Sequence, residues 1–214
     1  YILMMNSDGT VKIHQKIASG LGGFTGVLAQ RGAFGESVAS LGDLDGDGIT
    51  DVVVGAQFTD NIDFAEGVVY VLLMNSDGTV KSHRKLGEGL SGFSGALEAA
   101  EFFGSSVAGL GDLDADGVPD MVVGAYGADA TNINAGAVYV LMMNSDGTVK
   151  HHRKISEGLG GFTASLDRYD YFGKSVASVG DRNRDGVVDI AVGAIGDGTA
   201  GALYILNLAT PAIA

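Results

Sequence analysis

The sequence predicts an all-β fold made of repeated four-stranded units. Three observations predict it. One phrase returns every 69 residues, each copy carries strand-length alternating or continuous apolar runs, and no stretch shows sustained helical periodicity. Tyr1, Tyr70 and Tyr139 open the phrases YILMMNSDGTVK, YVLLMNSDGTVK and YVLMMNSDGTVK. Phe34-Gly35, Phe103-Gly104 and Phe172-Gly173 keep the same spacing, as do Asp43, Asp112 and Asp181. The last copy is four residues shorter between Ala194 and Tyr204.

Within a copy, the first strand is expected over FGESVASLG (34–42), which alternates after its Phe-Gly start. The second is DVVVGA (51–56), a short continuous apolar run of the kind buried on both faces. GVVYVLLM (67–74) gives the third. Asn75-Ser76-Asp77-Gly78 then supplies a tight hairpin turn. TVKSHRKL (79–86) is the fourth, polar and alternating as an outer strand should be. A four-stranded unit repeated at this period predicts the blades of a β-propeller.

The expected organisation is one propeller-type region over 1–214, of about three repeats. Residues 1–17 form an end hairpin, 34–86 and 103–155 form blades, and 172–208 form an incomplete blade. The third strand is thus present at both ends and the last fourth strand is missing. Three blades are fewer than the roughly 4–8 of a closed ring. The expectation is assembly with another chain, or membership in a longer array. Residue 1 is Tyr, which points to a processed chain or a segment of something longer.

Composition narrows the partners. Lys and Arg number 13 against 26 Asp and Glu, a formal charge of −13. That argues against nucleic acid, whose phosphates need clustered basic groups, and favours cations. The longest apolar runs are too short to span a bilayer, so no membrane insertion is expected. There is no Cys, which excludes disulfides and thiolate-bound metals.

The sharpest chemistry lies between the first and second strands. The three copies read DLDGDGITD (43–51), DLDADGVPD (112–120) and DRNRDGVVD (181–189). Side-chain oxygens fall at loop positions 1, 3, 5 and 9, a glycine at 6 makes the turn, and the carbonyl at 7 is placed as a further ligand. The candidate ligands are Asp43, Asp45, Asp47, Ile49 and Asp51; then Asp112, Asp114, Asp116, Val118 and Asp120; then Asp181, Asn183, Asp185, Val187 and Asp189. Several hard oxygens on one flexible loop suit Ca²⁺ better than Mg²⁺, and no soft ligand invites zinc or copper. An EF-hand is excluded, because position 12 is Val54, Val123 or Val192 and the flanks are strands. The competing interpretation is an Asp-Gly turn that binds nothing. Against it stands the mutual repulsion of four carboxylates in nine residues. The third loop has Asn183 for an Asp, with Arg182 and Arg184 beside the ligands. Up to three Ca²⁺ are expected, the third most weakly held.

Phe-Gly, then GDLDGDGITDVVVGA, then GVVYV closely resembles the FG-GAP repeat, and the resemblance runs through the chain three times. That repeat builds the seven-bladed propeller at the head of integrin α subunits and occurs in many bacterial secreted proteins. The resemblance implies Ca²⁺ held in hairpin loops on one face of a propeller, by the residues named above. The chain departs from the pattern in copy number. Ala56, Ala125 and Ala194 are followed by Gln, Tyr and Ile where the family often has Pro.

Other residues read as structure. His14, His83 and His152 share one repeat position with His151 beside the last, and are expected to be solvated. Phe24, Phe93 and Phe162 are expected to plug grooves between blades, with sugar stacking the alternative. The non-repeated polar residues Arg31, Asp63, Glu66, Arg168, Tyr169 and Asp170 form no nucleophile–base–orienter set. The function expected is an extracellular or cell-surface, calcium-binding, non-catalytic module for adhesion or ligand binding. Two alternatives stand. One is a structural subunit of an extracellular filament or surface layer, and the other is the propeller domain of a polysaccharide-acting enzyme. The expected partners are further copies, in a closed oligomer or a head-to-tail filament, with a protein or glycan ligand left open.

Overall fold

The computed structural model describes residues 1–129 and 132–209. Among them are thirteen strands and no helix. The strands form four antiparallel sheets in which sequence neighbours pair. The first sheet is the hairpin of β1 (Ile2–Met5) and β2 (Val11–Gln15). The second is β3 (Val38–Gly42), β4 (Asp51–Ala56), β5 (Val68–Met74) and β6 (Val80–Leu86), in that order. The third repeats it with β7 (Ser106–Gly111), β8 (Asp120–Ala125), β9 (Ala137–Met143) and β10 (Val149–Ile155). The fourth holds β11 (Phe172–Gly180), β12 (Asp189–Ala194) and β13 (Ala202–Leu206). These are propeller blades, and among the described residues they do not close a ring.

The second and third strands of each full blade are almost wholly buried, as their continuous apolar runs require. The cores lie between blades. Leu41, Val53, Val69 and Val71 of one blade meet Val107, Met121, Val123 and Tyr139 of the next. The same contact recurs one blade further on, where Val122, Val138 and Val140 meet Phe172, Ile190 and Val192. Successive blades also touch by backbone. Gly67 bridges Phe103 and Gly136 bridges Phe172, both in parallel. The Ser37 hydroxyl donates to the Gly104 carbonyl at 2.8 Å, and the Ser106 hydroxyl to the Gly173 carbonyl at 2.9 Å.

The segment after each fourth strand turns back along the outside of the next blade. The Val80 N–H donates to the Gly22 carbonyl and the Val149 N–H to the Ser91 carbonyl, each at 2.8 Å. Phe24 and Phe93 ride on these segments and are buried. Phe24 packs edge-on to Tyr70, with ring centroids 5.7 Å apart, and Phe93 lies 5.6 Å from Tyr139.

The histidines correct the sequence expectation in part. His14 and His151 are exposed, but His83 and His152 are half-buried. The returning Phe24 covers His83 at 4.4 Å between centroids, and Phe93 covers His152 at 4.8 Å. Burial, with Arg84 or His151 adding a little, pushes both imidazoles below their ordinary value. A depressed histidine pKa favours the neutral form on folding. The associated stability is complete above the unfolded value of about 6.5 and is lost as pH falls through the folded value. Thermal melts from pH 7.5 to 5 should therefore show wild type losing more melting temperature than His83→Gln/His152→Gln. Equal losses would contradict this.

Candidate metal centre

Each Dx(D/N)xDGxxD loop joins the first and second strands of a blade at one end of the sheet, just after a register shift in the first strand. The loop folds on its own backbone. In the first loop, the two Asp43 oxygens accept the Asp47 and Gly48 N–H groups at 2.9 and 2.8 Å. Asp47 Oδ1 accepts the Ile49 N–H at 2.9 Å. The second and third loops repeat this through Asp112 with Val118 and through Asp181 with Val187. The position-six glycines sit at φ between +85° and +89°, a left-handed conformation that costs glycine little. The side chains of Ile49, Val118 and Val187 turn inward to the cores and anchor the loops.

The position-nine carboxylates are the deepest part of the site. Asp51, Asp120 and Asp189 are 0% exposed. Asp51 and Asp120 clamp their loops to the end of the third strand, and Asp189 clamps its loop to the chain two residues past β13. Asp51 accepts Leu44 N–H and Met74 N–H at 2.8 and 2.9 Å. Asp120 accepts Leu113 N–H and Met143 N–H at 2.7 and 2.9 Å. Asp189 accepts Arg182 N–H and Leu208 N–H at 2.9 and 3.1 Å. Burial raises Asp51 above the ordinary carboxylate range and pushes Asp120 up to about 6, against the lowering effect of those N–H groups.

Ligand-capable oxygens of Asp43, Asp45 and Asp51 lie within 4.8 Å of one another, as do those of Asp112, Asp114 and Asp116. Asp114 Oδ1 is buried and has no hydrogen-bond partner. An uncompensated buried carboxylate oxygen is costly, and a cation there would compensate it. The donor set is all hard oxygen, so the residues fit a divalent ion of the Ca²⁺ type. The third loop is different. Asn183 turns its amide onto Asp185 Oδ2 at 2.8 Å, and the Arg184 N–H adds a bond to Asp181.

Sequence reasoning missed two lysines at this site. Lys81, on β6, places its ammonium 2.7 Å from both Asp45 Oδ2 and Asp47 Oδ2. Lys150, on β10, does the same to Asp114 and Asp116 at 2.7 and 2.6 Å. Their hydrogen bonds hold Asp47 and Asp116 below the usual carboxylate range, and the acids raise both lysines in turn. The signal was in the recurring Thr-Val-Lys after each hairpin turn.

The opposite end of the blades carries a strip of aromatic rings. Phe58 meets Phe102 at 5.7 Å, Phe102 stacks on Tyr126 at 4.9 Å, and Tyr126 meets Tyr171 at 5.8 Å. The Lys174 ammonium sits 3.7 Å over the Tyr126 ring. Behind it, buried Glu101 accepts from the Tyr139 hydroxyl at 2.6 Å and pairs with Lys154 at 2.9 Å.

Comparison with known proteins agrees with the repeat pattern. The FG-GAP-like repeat family matches residues 43–123. Integrin alpha-2 of Mus musculus is 36% identical over 171 residues, 78% of this chain and 13% of the relative. Integrin alpha-5 of Xenopus laevis is 40% identical over 109 residues, 51% of this chain and 10% of the relative. Integrin alpha-2 of Bos taurus is 36% identical over 183 residues, 82% of this chain and 14% of the relative. The chain thus spans 10–14% of the length of these curated relatives.

Proposed function

The chain is assembled from repeats of the FG-GAP family, and from that premise we propose that it is an extracellular or cell-surface, calcium-pinned, non-catalytic module for adhesion or ligand binding. Its unit of organisation is one propeller-type region over 1–214, with an end hairpin at 1–17, blades at 34–86 and 103–155, and an incomplete blade at 172–208. The observation that carries the metal reading is the buried, unpartnered Asp114 oxygen among the carboxylates of Asp112 and Asp116. Asp43, Asp45, Asp47, Ile49 and Asp51 would hold one Ca²⁺. Asp112, Asp114, Asp116, Val118 and Asp120 would hold a second. Asp181, Asn183, Asp185, Val187 and Asp189 would hold a third most weakly, because Asn183 removes a charge and Arg182 and Arg184 stand beside it. Bound ions would draw the loop carboxylates together and stiffen that end of each blade.

The ligand-binding end in this reading is the aromatic strip from Phe58 to Tyr171, away from the metal loops. Phe58 is exposed and Phe102, Tyr126 and Tyr171 are half-buried, so the strip offers ring edges to a protein or glycan surface. A second reading, a subunit of an extracellular filament, is favoured by exposed apolar side chains on the outer sheets, Leu3, Met5 and Ile13 at one end and Leu203 and Ile205 at the other. Sedimentation distinguishes the two readings: discrete particles support the first, and open-ended polymers the second.

The metal reading is tested by thermal unfolding. Loops of this kind have Kd on the order of 10⁻⁴–10⁻³ M, so about 2 mM free Ca²⁺ should add roughly 0.6–1.8 kcal/mol per occupied site. The melting temperature is expected to rise from EDTA to Ca²⁺, and Asp45→Asn/Asp114→Asn should remove most of that rise. Identical melts of wild type in Ca²⁺ and EDTA would overturn the reading.

A further inference from the structure

Most carboxylate oxygens in the first two loops are already engaged by backbone. Both oxygens of Asp43 and both of Asp51 accept N–H groups, as does Oδ1 of Asp47, while Oδ1 of Asp45 takes a longer bond of 3.3 Å from Asp47. In the first loop, among the described contacts, only Asp45 Oδ2 and Asp47 Oδ2 face no backbone donor, and the Lys81 ammonium bridges those two; in the second loop Asp114 Oδ1 also lacks a donor. In the second loop Lys150 bridges the equivalent oxygens of Asp114 and Asp116. The arrangement recurs 69 residues on with the same atoms and nearly the same distances, so it belongs to the blade and not to one side chain's chance rotamer.

We propose that Lys81 and Lys150 are tethered competitors for the loop cation, each ammonium holding the two carboxylate oxygens that an incoming Ca²⁺ needs. The proposal rests on the reading of the loops as Ca²⁺ sites. A divalent ion entering between Asp45 and Asp47 meets a unit positive charge a few ångströms away and must displace it. Displacement is easy to accomplish, since the lysine side chains are 43% and 41% exposed and swing into water by rotation about their own bonds. The lysines therefore lower the affinity of their loops. They also supply counter-charge to the carboxylates when no ion is bound, which narrows the stability difference between the two states. The third loop has no such lysine among the described residues. Its equivalent oxygen, on Asp185, takes the Asn183 amide instead, a neutral donor carried by the loop itself.

Lys12 is the built-in control. It occupies the same repeat position, on β2, and makes no ion pair among the described residues. Calorimetric Ca²⁺ titration of the whole chain tests the proposal. In Lys81→Met/Lys150→Met, two sites should tighten about tenfold, the scale for removing a unit charge a few ångströms from a divalent ion in a solvated setting. The melting temperature in EDTA should fall, so the Ca²⁺-induced rise should grow. Lys12→Met, with a single charge removed elsewhere, should titrate as wild type. Lys81→Arg/Lys150→Arg, which keeps the charge, should stay within a few-fold of wild type. If wild type binds Ca²⁺ and the double Met variant binds equally or more weakly, the competitor role is wrong while the Ca²⁺ reading stands. If neither binds Ca²⁺, the loop reading itself fails and the proposal falls with it.

Discussion

Asp120→Ala is expected to lower folding stability by about 4 kcal/mol, measured by urea unfolding in EDTA so that no metal contributes. The carboxylate is wholly buried and its two oxygens accept the N–H groups of Leu113 and Met143. Alanine leaves both donors without a partner in the interior, at about 1–3 kcal/mol each, and adds a small cavity. Asp120→Asn keeps the volume but turns an amide N–H₂ toward one of the two donors, so its cost should be roughly half as large. Asp189→Ala should cost less than Asp120→Ala, because the fourth sheet has three strands and its clamp to Leu208 is longer at 3.1 Å. A loss under about 1 kcal/mol for Asp120→Ala would show that the clamp adds little beyond what water could replace.

The second large effect is expected at Gly136. Its φ is +96°, and a Cβ built there would overlap the carbonyl oxygen and the amide nitrogen of Phe172 in the next blade. Both obstacles are backbone, so neither can rotate away. Gly136→Ala should cost about 3 kcal/mol or more, from overpacking together with strain at positive φ. The damage should be local to the contact between the third and fourth sheets. Hydrogen exchange should therefore quicken across β11 and β12 well before β4 and β5. Uniform quickening, or none, would contradict the account of how blades join.

The blade pattern was legible because two signals agreed at every copy. The phrase recurs at 69 residues, and the apolar runs have strand length and strand period. The edges were less legible. The first strand was expected from Phe34, yet β3 starts at Val38, because Gly35 donates its N–H to the Gly55 carbonyl outside the regular ladder. In the site, nine-residue spacing was enough to nominate the acids. It could not show that Asp51 and Asp120 spend both oxygens on backbone donors, since Met74 and Met143 each lie 23 residues away. Lys81 was out of reach for the same reason: it meets Asp45 across 36 residues, and only the order of strands in the sheet brings them together. His83 and His152 were misjudged because their cover comes from a different repeat, on the segment that carries Phe24 or Phe93.

The three hairpin loops are proposed as cation sites of graded strength. Anomalous diffraction from crystals grown in Ca²⁺ and then exchanged into Tb³⁺ tests this most directly. Strong peaks are expected in the loops of 43–51 and 112–120, touching the side chains of Asp45 and Asp114, and a weaker peak in 181–189. In the two strong sites the ammonium groups of Lys81 and Lys150 should have moved off the carboxylates. No peak in any of the three loops, or peaks only at surface acids elsewhere, would contradict it.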